Sequence, residues 1–237
     1  MGRAFQNRKE SMAKTSDANA KLYSKFSREI YVVAKGGSPD PDANLTLRSL
    51  IDRAKKAQVP AHVIEKAIDK AKGGAGEDSA VARYEGYAPG NVMVIIDCLT
   101  DNPNRTFGDV RSCFTKTKTK IGTSGSVAHM FDHSAIFVFE GDEEVALEAL
   151  MEADVDVQDI EEEDGKLTVF APHNEYNKAK LALMDAFEGV DFEVDEIQFI
   201  PQNMMEVPED AKPMFEKFLE LVNDFDDVQN VYHNGEM

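Results

Sequence analysis

The side chains best suited to chemistry are five histidines and two cysteines, and their spacing argues against catalysis and against metal binding. His129 and His133 lie four residues apart, but at a predicted strand end, where that spacing does not put two side chains on one face. The two cysteines, Cys98 and Cys113, lack metal-ligand spacing and are expected to be buried thiols. No Ser–His or Cys–His pairing is indicated. We therefore expect no catalytic residue, no metal, no cofactor, no small-molecule substrate and no enzymatic activity.

Basic side chains form two clusters that could bind a polyanion. The first cluster lies in the N-terminal segment and the helix after it, and comprises Arg3, Arg8, Lys9, Lys14, Lys21, Lys25 and Arg28. The second lies in the middle of the chain and comprises Arg105, Arg111, Lys116, Lys118 and Lys120. Lysine and arginine on helical faces can neutralise phosphates without reading base sequence. Both clusters are predicted to bind nucleic acid.

The charge distribution gives this prediction its context. The 237-residue chain has a net charge of −18, but residues 1–75 hold 15 basic against 8 acidic side chains, a balance of +7. The remainder holds 11 basic and 36 acidic side chains, a balance of −25. Opposite signs in the two parts suggest a polyanion-facing arm joined to an acidic body. The alternative is a basic helical face that is simply solvated.

The glycine- and hydroxyl-rich stretch from Gly122 to Ser126 allows two interpretations. Its backbone N–H groups could bind a phosphate. The favoured alternative is a tight turn that leads into a strand. It is not a P-loop, because no Gly-Lys-Ser/Thr follows.

The elements that must position these residues begin with helices. Apolar residues at helical spacing predict three helices in residues 1–79, from about Asp17, from about Ala43 and from Pro60. Tyr84 to Gly90 is interpreted as a turn-rich entry, and Val92 to Cys98 as a strand. A basic helix capped by Asn104 or Thr106 should follow. Ser126 to Phe131 is predicted to be a second strand.

The rest of the chain predicts a domain inserted into another domain. Asp164-Gly165 is a strong hairpin signal, and the order βαββαβ within residues 134–204 is that of a ferredoxin-like domain. The helix and strand that follow cannot bury their own apolar faces alone. We therefore predict an α+β fold with a basic helical bundle in residues 1–79, a discontinuous α+β domain in 80–133 and 205–237, and the inserted domain in 134–204.

No apolar run is long enough to span a bilayer, and the N-terminus lacks a secretory signal. A cytoplasmic protein without a membrane partner is expected.

Several motifs together resemble the YebC/PmpR family, which includes the mitochondrial translational activator of cytochrome c oxidase, and are closest to its YeeN-like branch. The resemblance covers nearly the whole chain. Its motifs are Gln58-Val59-Pro60 through Gly73-Gly74, Tyr84-Glu85-Gly86-Tyr87, Leu99 through Asn104-Arg105-Thr106, Gly122 to Phe131, Asp226-Asp227-Val228-Gln229, and Val231-Tyr232-His233-Asn234.

The resemblance implies three domains, an N-terminal helical bundle and two α+β domains. It also implies a DNA-binding transcriptional regulator of the cytoplasm, or alternatively a ribosome-associated translation factor that binds ribosomal RNA. Both roles need a surface that binds a polyanion. A third possibility is a protein-interaction adaptor whose acidic body binds basic partners.

Overall fold

The computed structural model describes residues 18–73 and 79–237. Arg3, Arg8, Lys9, Lys14 and most of the predicted linker lie outside these residues. The contacts of the described chain form two compact units, one made of residues 131–200 and the other of residues 18–73, 79–130 and 201–237. Helices and mainly antiparallel sheets confirm the predicted α+β class. The division into three domains with the boundaries given above stays a prediction.

The N-terminal part consists of three helices, α1 (Ala18–Gly36), α2 (Leu45–Lys56) and α3 (Ala61–Lys72). The side chain of Asn44 accepts a hydrogen bond from the Leu47 amide and caps α2, which satisfies a donor that the first helical turn leaves without a partner. Buried apolar residues such as Ile30, Leu50 and Ile64 form the core between the helices. Their spacing of three and four residues is the pattern that predicted the bundle.

A four-stranded sheet follows, with strands in the order β3–β1–β2–β9. The strands are β1 (Ala80–Ala88), β2 (Val92–Thr100), β3 (Lys120–Ile121) and β9 (Val228–His233). Helices α4 (Pro103–Lys116) and α7 (Lys212–Asn223) share its apolar core, which includes Val94, Phe114 and Phe218. Strand β9 pairs antiparallel with β2, and in this pairing Val231 of β9 lies opposite Ile96 of β2. The last part of the chain thus completes a sheet that begins near residue 80.

Two sequence predictions in this region are wrong. Tyr84 to Ala88 belongs to strand β1 and is not a turn. Ser126 to Phe131 does not form a strand, because residues Ala128–Met130 form a short 3₁₀ turn and the next strand begins at Phe131.

The cap of α4 also differs from the prediction. The side chain of Asn102, rather than that of Asn104 or Thr106, accepts a hydrogen bond from the Arg105 amide. Pro103 occupies the first helical position, where its missing N–H leaves no hydrogen bond unmade.

Residues 131–200 form the inserted unit. Its elements are β4 (Phe131–Glu140), α5 (Glu143–Glu152), β5 (Asp159–Glu163), β6 (Lys166–Pro172), α6 (Tyr176–Ala186) and β7 (Val194–Pro201, which ends just beyond the unit). The sheet order β5–β6–β4–β7 is the ferredoxin-like order. Asp164 and Gly165 join β5 to β6 with positive φ angles of 52° and 77°, which confirms the predicted hairpin. Phe137, Leu150 and Leu183 lie in its core.

Two short strands, β8 (Met205–Glu206) and β10 (Gly235–Glu236), pair in parallel beside the C-terminus. Among the described helices, none is both long enough and apolar enough to cross a membrane.

Candidate nucleic-acid interface

Asp227, which is only 7% exposed, lies at the centre of a cluster of polar side chains. Its Oδ1 accepts a hydrogen bond from Nη1 of Arg28 at 2.7 Å, and its Oδ2 accepts one from Nη2 of Arg105 at 2.9 Å. The hydroxyls of Thr106 and Thr100 donate to the same Oδ2 at 2.7 and 3.2 Å. We call these five residues the Asp227 cluster. It joins helix α1, the β2–α4 connection and the segment before β9.

The charges of the Asp227 cluster stabilise one another. Burial alone would raise the pKa of the Asp227 carboxyl, but the hydrogen bonds from Arg105, Thr106 and Arg28 outweigh it and lower that pKa to about 2. The hydrogen bond to Asp227, with a second to Asp101, raises the pKa of the Arg105 guanidinium. Asp227 therefore stays ionised and bound at every physiological pH.

Two further basic residues of α1 contact the same C-terminal segment. Lys21 forms an ion pair with Asp224, and Nζ of Lys25 donates to the backbone oxygen of Gln229 at 3.4 Å. Arg28 also donates to the backbone oxygens of Leu99 at 3.3 Å and Asp226 at 3.0 Å. Lys21, Lys25 and Arg28, which the sequence assigned to nucleic acid, thus make intramolecular contacts that sequence reasoning missed.

Arg105 of the second basic cluster also makes intramolecular contacts, like the basic residues of α1. Its Nη2 also donates to Oδ1 of Asp101 at 2.7 Å, so two carboxylates share one guanidinium. The side chain keeps 48% of its surface exposed. A phosphate that approached Arg105 would compete with these two carboxylates.

The other four residues of the second cluster present their charge to solvent. Arg111, Lys116, Lys118 and Lys120 are exposed, and none of them forms an ion pair with any described residue. Helix α4 ends beside them in a turn in which Lys118 adopts a positive φ of 60°, and the Thr119 amide donates to the Phe114 carbonyl at 2.8 Å. This turn brings three lysines to one end of α4 within five residues.

The loop from Gly122 to Ala128 does not offer a phosphate site. The backbone amides of Gly125, Val127 and Ala128 donate to the carboxylate of Glu85 at 2.8, 2.9 and 2.8 Å. Burial alone would raise the pKa of Glu85, but these three amides lower it below its usual value. The protein's own carboxylate takes the place that a phosphate would need, so the tight-turn interpretation is correct. Sequence reasoning missed Glu85, whose only signal was a carboxylate within an apolar run.

The histidines and cysteines form no site of their own. In the part of the chain that the structure describes, no group of three or more His, Cys, Asp or Glu side chains could hold a metal ion. The ring of His133 stacks between those of His173 and Phe199, with centroids 3.8 and 4.1 Å apart. Cys98 and Cys113 are buried free thiols, as predicted, and burial raises their pKa values to about 12 and about 11. They are therefore poor nucleophiles at neutral pH.

Comparison with known proteins assigns this arrangement to a family. Residues 3–74 match the TACO1/YebC protein N-terminal domain, and residues 79–235 match the TACO1/YebC second and third domain. The chain therefore belongs to the TACO1/YebC family, which confirms the resemblance drawn from the sequence motifs.

Individual relatives agree along the whole chain. A "probable transcriptional regulatory protein" of Hydrogenovibrio crunogenus is 72% identical over 239 residues, covering 100% of both chains. One of Marinobacter nauticus is 73% identical over 238 residues, covering 100% of this chain and 99% of its own. Among solved structures, the conserved hypothetical protein Aq1575 of Aquifex aeolicus has a TM-score of 0.76 and 35% identity, covering 94% of this chain and 93% of its own.

Proposed function

We propose that the protein is a non-enzymatic regulator that acts in the cytoplasm by binding nucleic acid, with duplex DNA as its ligand. The names of its relatives support a role in transcription regulation. The observation that carries the proposal is the set of exposed cations Arg111, Lys116, Lys118 and Lys120, which no carboxylate of the described chain neutralises. Exposed cations along α4 and the turn and strand that follow it are available to phosphates at little cost.

The basic residues of the two clusters in the described chain have two different roles, phosphate binding and intramolecular contact. Arg111, Lys116, Lys118 and Lys120 contact phosphate. Lys21, Lys25 and Arg28 hold α1 against the C-terminal segment, and Arg105 belongs to the same Asp227 cluster. Substitution of the α1 residues would therefore change stability before it changed affinity, which makes them poor probes of binding.

The test compares two triple variants of the full chain. Lys116→Gln, Lys118→Gln and Lys120→Gln remove three solvent-facing charges. In the control, Lys166→Gln, Lys178→Gln and Lys212→Gln remove three lysines that already have carboxylate partners, Glu193, Glu175 and Glu209. Both triples change net charge equally.

Duplex DNA affinity is measured by fluorescence anisotropy at several salt concentrations. For the first triple, the slope of log affinity against log salt should fall by about 2.7, which is about 0.9 for each lost phosphate contact. The control triple should keep the wild-type slope. Equal slopes in both triples would exclude a phosphate contact at the end of α4.

A second candidate function is a ribosome-associated translation factor that binds ribosomal RNA. The three lysines lie at and just after the C-terminal end of α4, whereas the recognition helix of a helix-turn-helix protein contacts base edges with its N-terminal residues. At that end Asn102 caps the helix and Arg105 binds two carboxylates. Phosphate contacts of this kind carry no base sequence and suit RNA equally well.

Sedimentation distinguishes the two functions. Ribosome-bound protein that excess duplex DNA does not displace would favour the translation factor. Absence from ribosomal fractions over a range of salt concentrations, together with tight DNA binding, would favour the transcription regulator.

A further inference from the structure

Two aromatic side chains lie together at the surface beside the free cations. Tyr84 on β1 and Phe107 on α4 have ring centroids 6.0 Å apart at an interplanar angle of 44°. Phe107 keeps 42% of its surface exposed. The Tyr84 hydroxyl donates to the Pro103 carbonyl at 3.4 Å, which ties its ring to the start of α4. The pair is thus held in position while one ring faces solvent.

The same face of α4 carries a cation. Arg111 follows Phe107 by four residues, and residues at this spacing are neighbours on a helix surface. Strand β3 pairs with β1 only at Gly86 and Tyr87, so Tyr84 lies where β1 forms the edge of the sheet. An aromatic ring, a guanidinium and a sheet edge therefore border one stretch of surface.

We propose that Tyr84 and Phe107 form a stacking site for an unpaired nucleobase, with Arg111 on the adjoining phosphate. The inference rests on the proposed nucleic-acid binding and adds to duplex DNA a second form of ligand, which is a single-stranded segment. Aromatic rings beside cations are the usual means of holding single strands, because every base has a face that stacks. In a duplex the bases are stacked on one another and present no such face unless they are flipped out.

Charge complementarity identifies the occupant. An exposed aromatic pair alone would fit an apolar protein segment as well. Arg111 and the three lysines at the end of α4 favour an anionic ligand, and the described residues place no acidic partner on any of the four. A nucleotide supplies a base that can stack on the aromatic rings and a phosphate that can pair with the cations.

The test uses the full chain, a fluorescein-labelled oligo(dT) strand of about 12 nucleotides and a duplex of the same length. Phe107→Leu keeps an apolar side chain on α4 but removes the aromatic face. Leu181→Ala is the control for loss of an exposed apolar side chain, since Leu181 is 55% exposed and belongs to α6 of the inserted unit. Phe107→Tyr keeps the ring and should restore binding.

Phe107→Leu should weaken single-strand binding about tenfold, the effect of losing one stacked base, and should leave duplex affinity within twofold. Leu181→Ala should change neither affinity. If the wild-type chain binds neither probe, the proposed function itself fails. If the wild-type chain binds and Phe107→Leu binds the single strand equally well, only the stacking site is excluded. Equal weakening on strand and duplex, or no rescue by Phe107→Tyr, would also exclude it.

Discussion

The carboxylate of Asp227 connects two arginines that are distant from it in the sequence. Arg28 and Arg105 lie 199 and 122 residues away from it in the sequence, and Arg28 donates to its Oδ1 whereas Arg105 donates to its Oδ2. Exposed ion pairs contribute little to stability, but the carboxylate of Asp227 is buried, so that loss of an arginine would leave a buried charge short of a partner. The contact between α1 and the C-terminal segment therefore depends strongly on this residue.

Replacement of Asp227 by Asn should destabilise the protein in a pH-dependent way. Asn keeps the shape but not the charge, and a pKa lowered from 3.8 to about 2 corresponds to about 2 kcal/mol of unfolding free energy. Because the folded pKa lies below the unfolded one, this stabilisation is fully present above about pH 4. It is lost as the pH falls towards 2. Urea unfolding of both proteins between pH 7 and 2 measures the difference.

Asp226→Asn provides the control for this prediction. Asp226 is the exposed neighbour of Asp227, and Arg28 contacts only its backbone oxygen. Its substitution should cost less than about 0.5 kcal/mol at any pH. A loss as large as that of Asp227→Asn would show that general charge, and not the cluster, sets the stability.

The sequence predicted the exposure of the basic side chains in the second cluster, but not the contacts that some of them make. The sequence indicated that Arg105, Arg111 and the lysines after them are exposed cations, and the structure places all of them at the surface. It did not indicate that Asp227 would bind Arg28 and Arg105. Helical spacing gives the face on which a side chain lies, but not which distant carboxylate will reach that face.

At the scale of elements, periodic patterns predicted the helices, and the Asp164-Gly165 pair predicted its hairpin. Strand β1 was not predicted, because Glu85 and Gly86 interrupt its apolar pattern. Gly86 suggested a turn, but it is a glycine because α4 packs closely. A Cβ atom at this position would lie 2.9 Å from Cε1 of Phe114 and 3.0 Å from the Gly122 amide nitrogen. Glu85 broke the apolar alternation because it binds the amides of the 122–128 loop. Tertiary contacts of this kind leave no periodic signal.

Strand β9 should be indispensable to the sheet that it completes. A chain that ends at Asp227 loses β9, including Val228 and Tyr232, which are 0% and 4% exposed. The apolar face of β2 and α7 then lacks its cover, and we expect β1, β2 and α7 to lose protection in amide hydrogen exchange. The inserted unit, which has its own core, should keep protection in β4 and β6.

A chain that lacks only Met237 is the reference for this truncation. Met237 is 54% exposed and follows the last strand, so its removal should leave the exchange pattern unchanged. If the chain ending at Asp227 kept its protection in β2, the sheet would not require its C-terminal strand.

At the scale of the whole molecule, the net charge resides in one unit. Residues 131–200 contain 21 acidic side chains and three lysines, a balance of −18 that equals the charge of the entire chain. The remaining residues are therefore neutral in sum. The division at residue 75 placed the excess acid in a body of 162 residues, but the structure assigns it to the ferredoxin-like unit. A role of this unit in binding basic proteins stays a prediction.

Salt should stabilise the inserted unit selectively. Self-repulsion among its carboxylates weakens the compact state, and counterions screen it. Between about 0.02 and 0.3 M NaCl we expect its melting temperature to rise by about 5 °C, which for a domain of this size is about 1 kcal/mol. Amide exchange in β4 and β6 reports on this unit. Exchange in β1 and β2 is the internal control, and an equal response in both sheets would contradict the prediction.

The pairing of β9 with β2 can form only near the end of protein synthesis. Strand β9 leaves the ribosome roughly 130 residues after β2, which at 5–20 residues per second is a delay on the order of ten seconds. The inserted unit is synthesised completely within that interval, before β9 is available to pair with β2. Asp227 is synthesised at the same late stage, so Arg28 on α1 gains this carboxylate only at the end. A prematurely terminated polypeptide would therefore leave Lys21 and Arg28 of α1 without their C-terminal carboxylates.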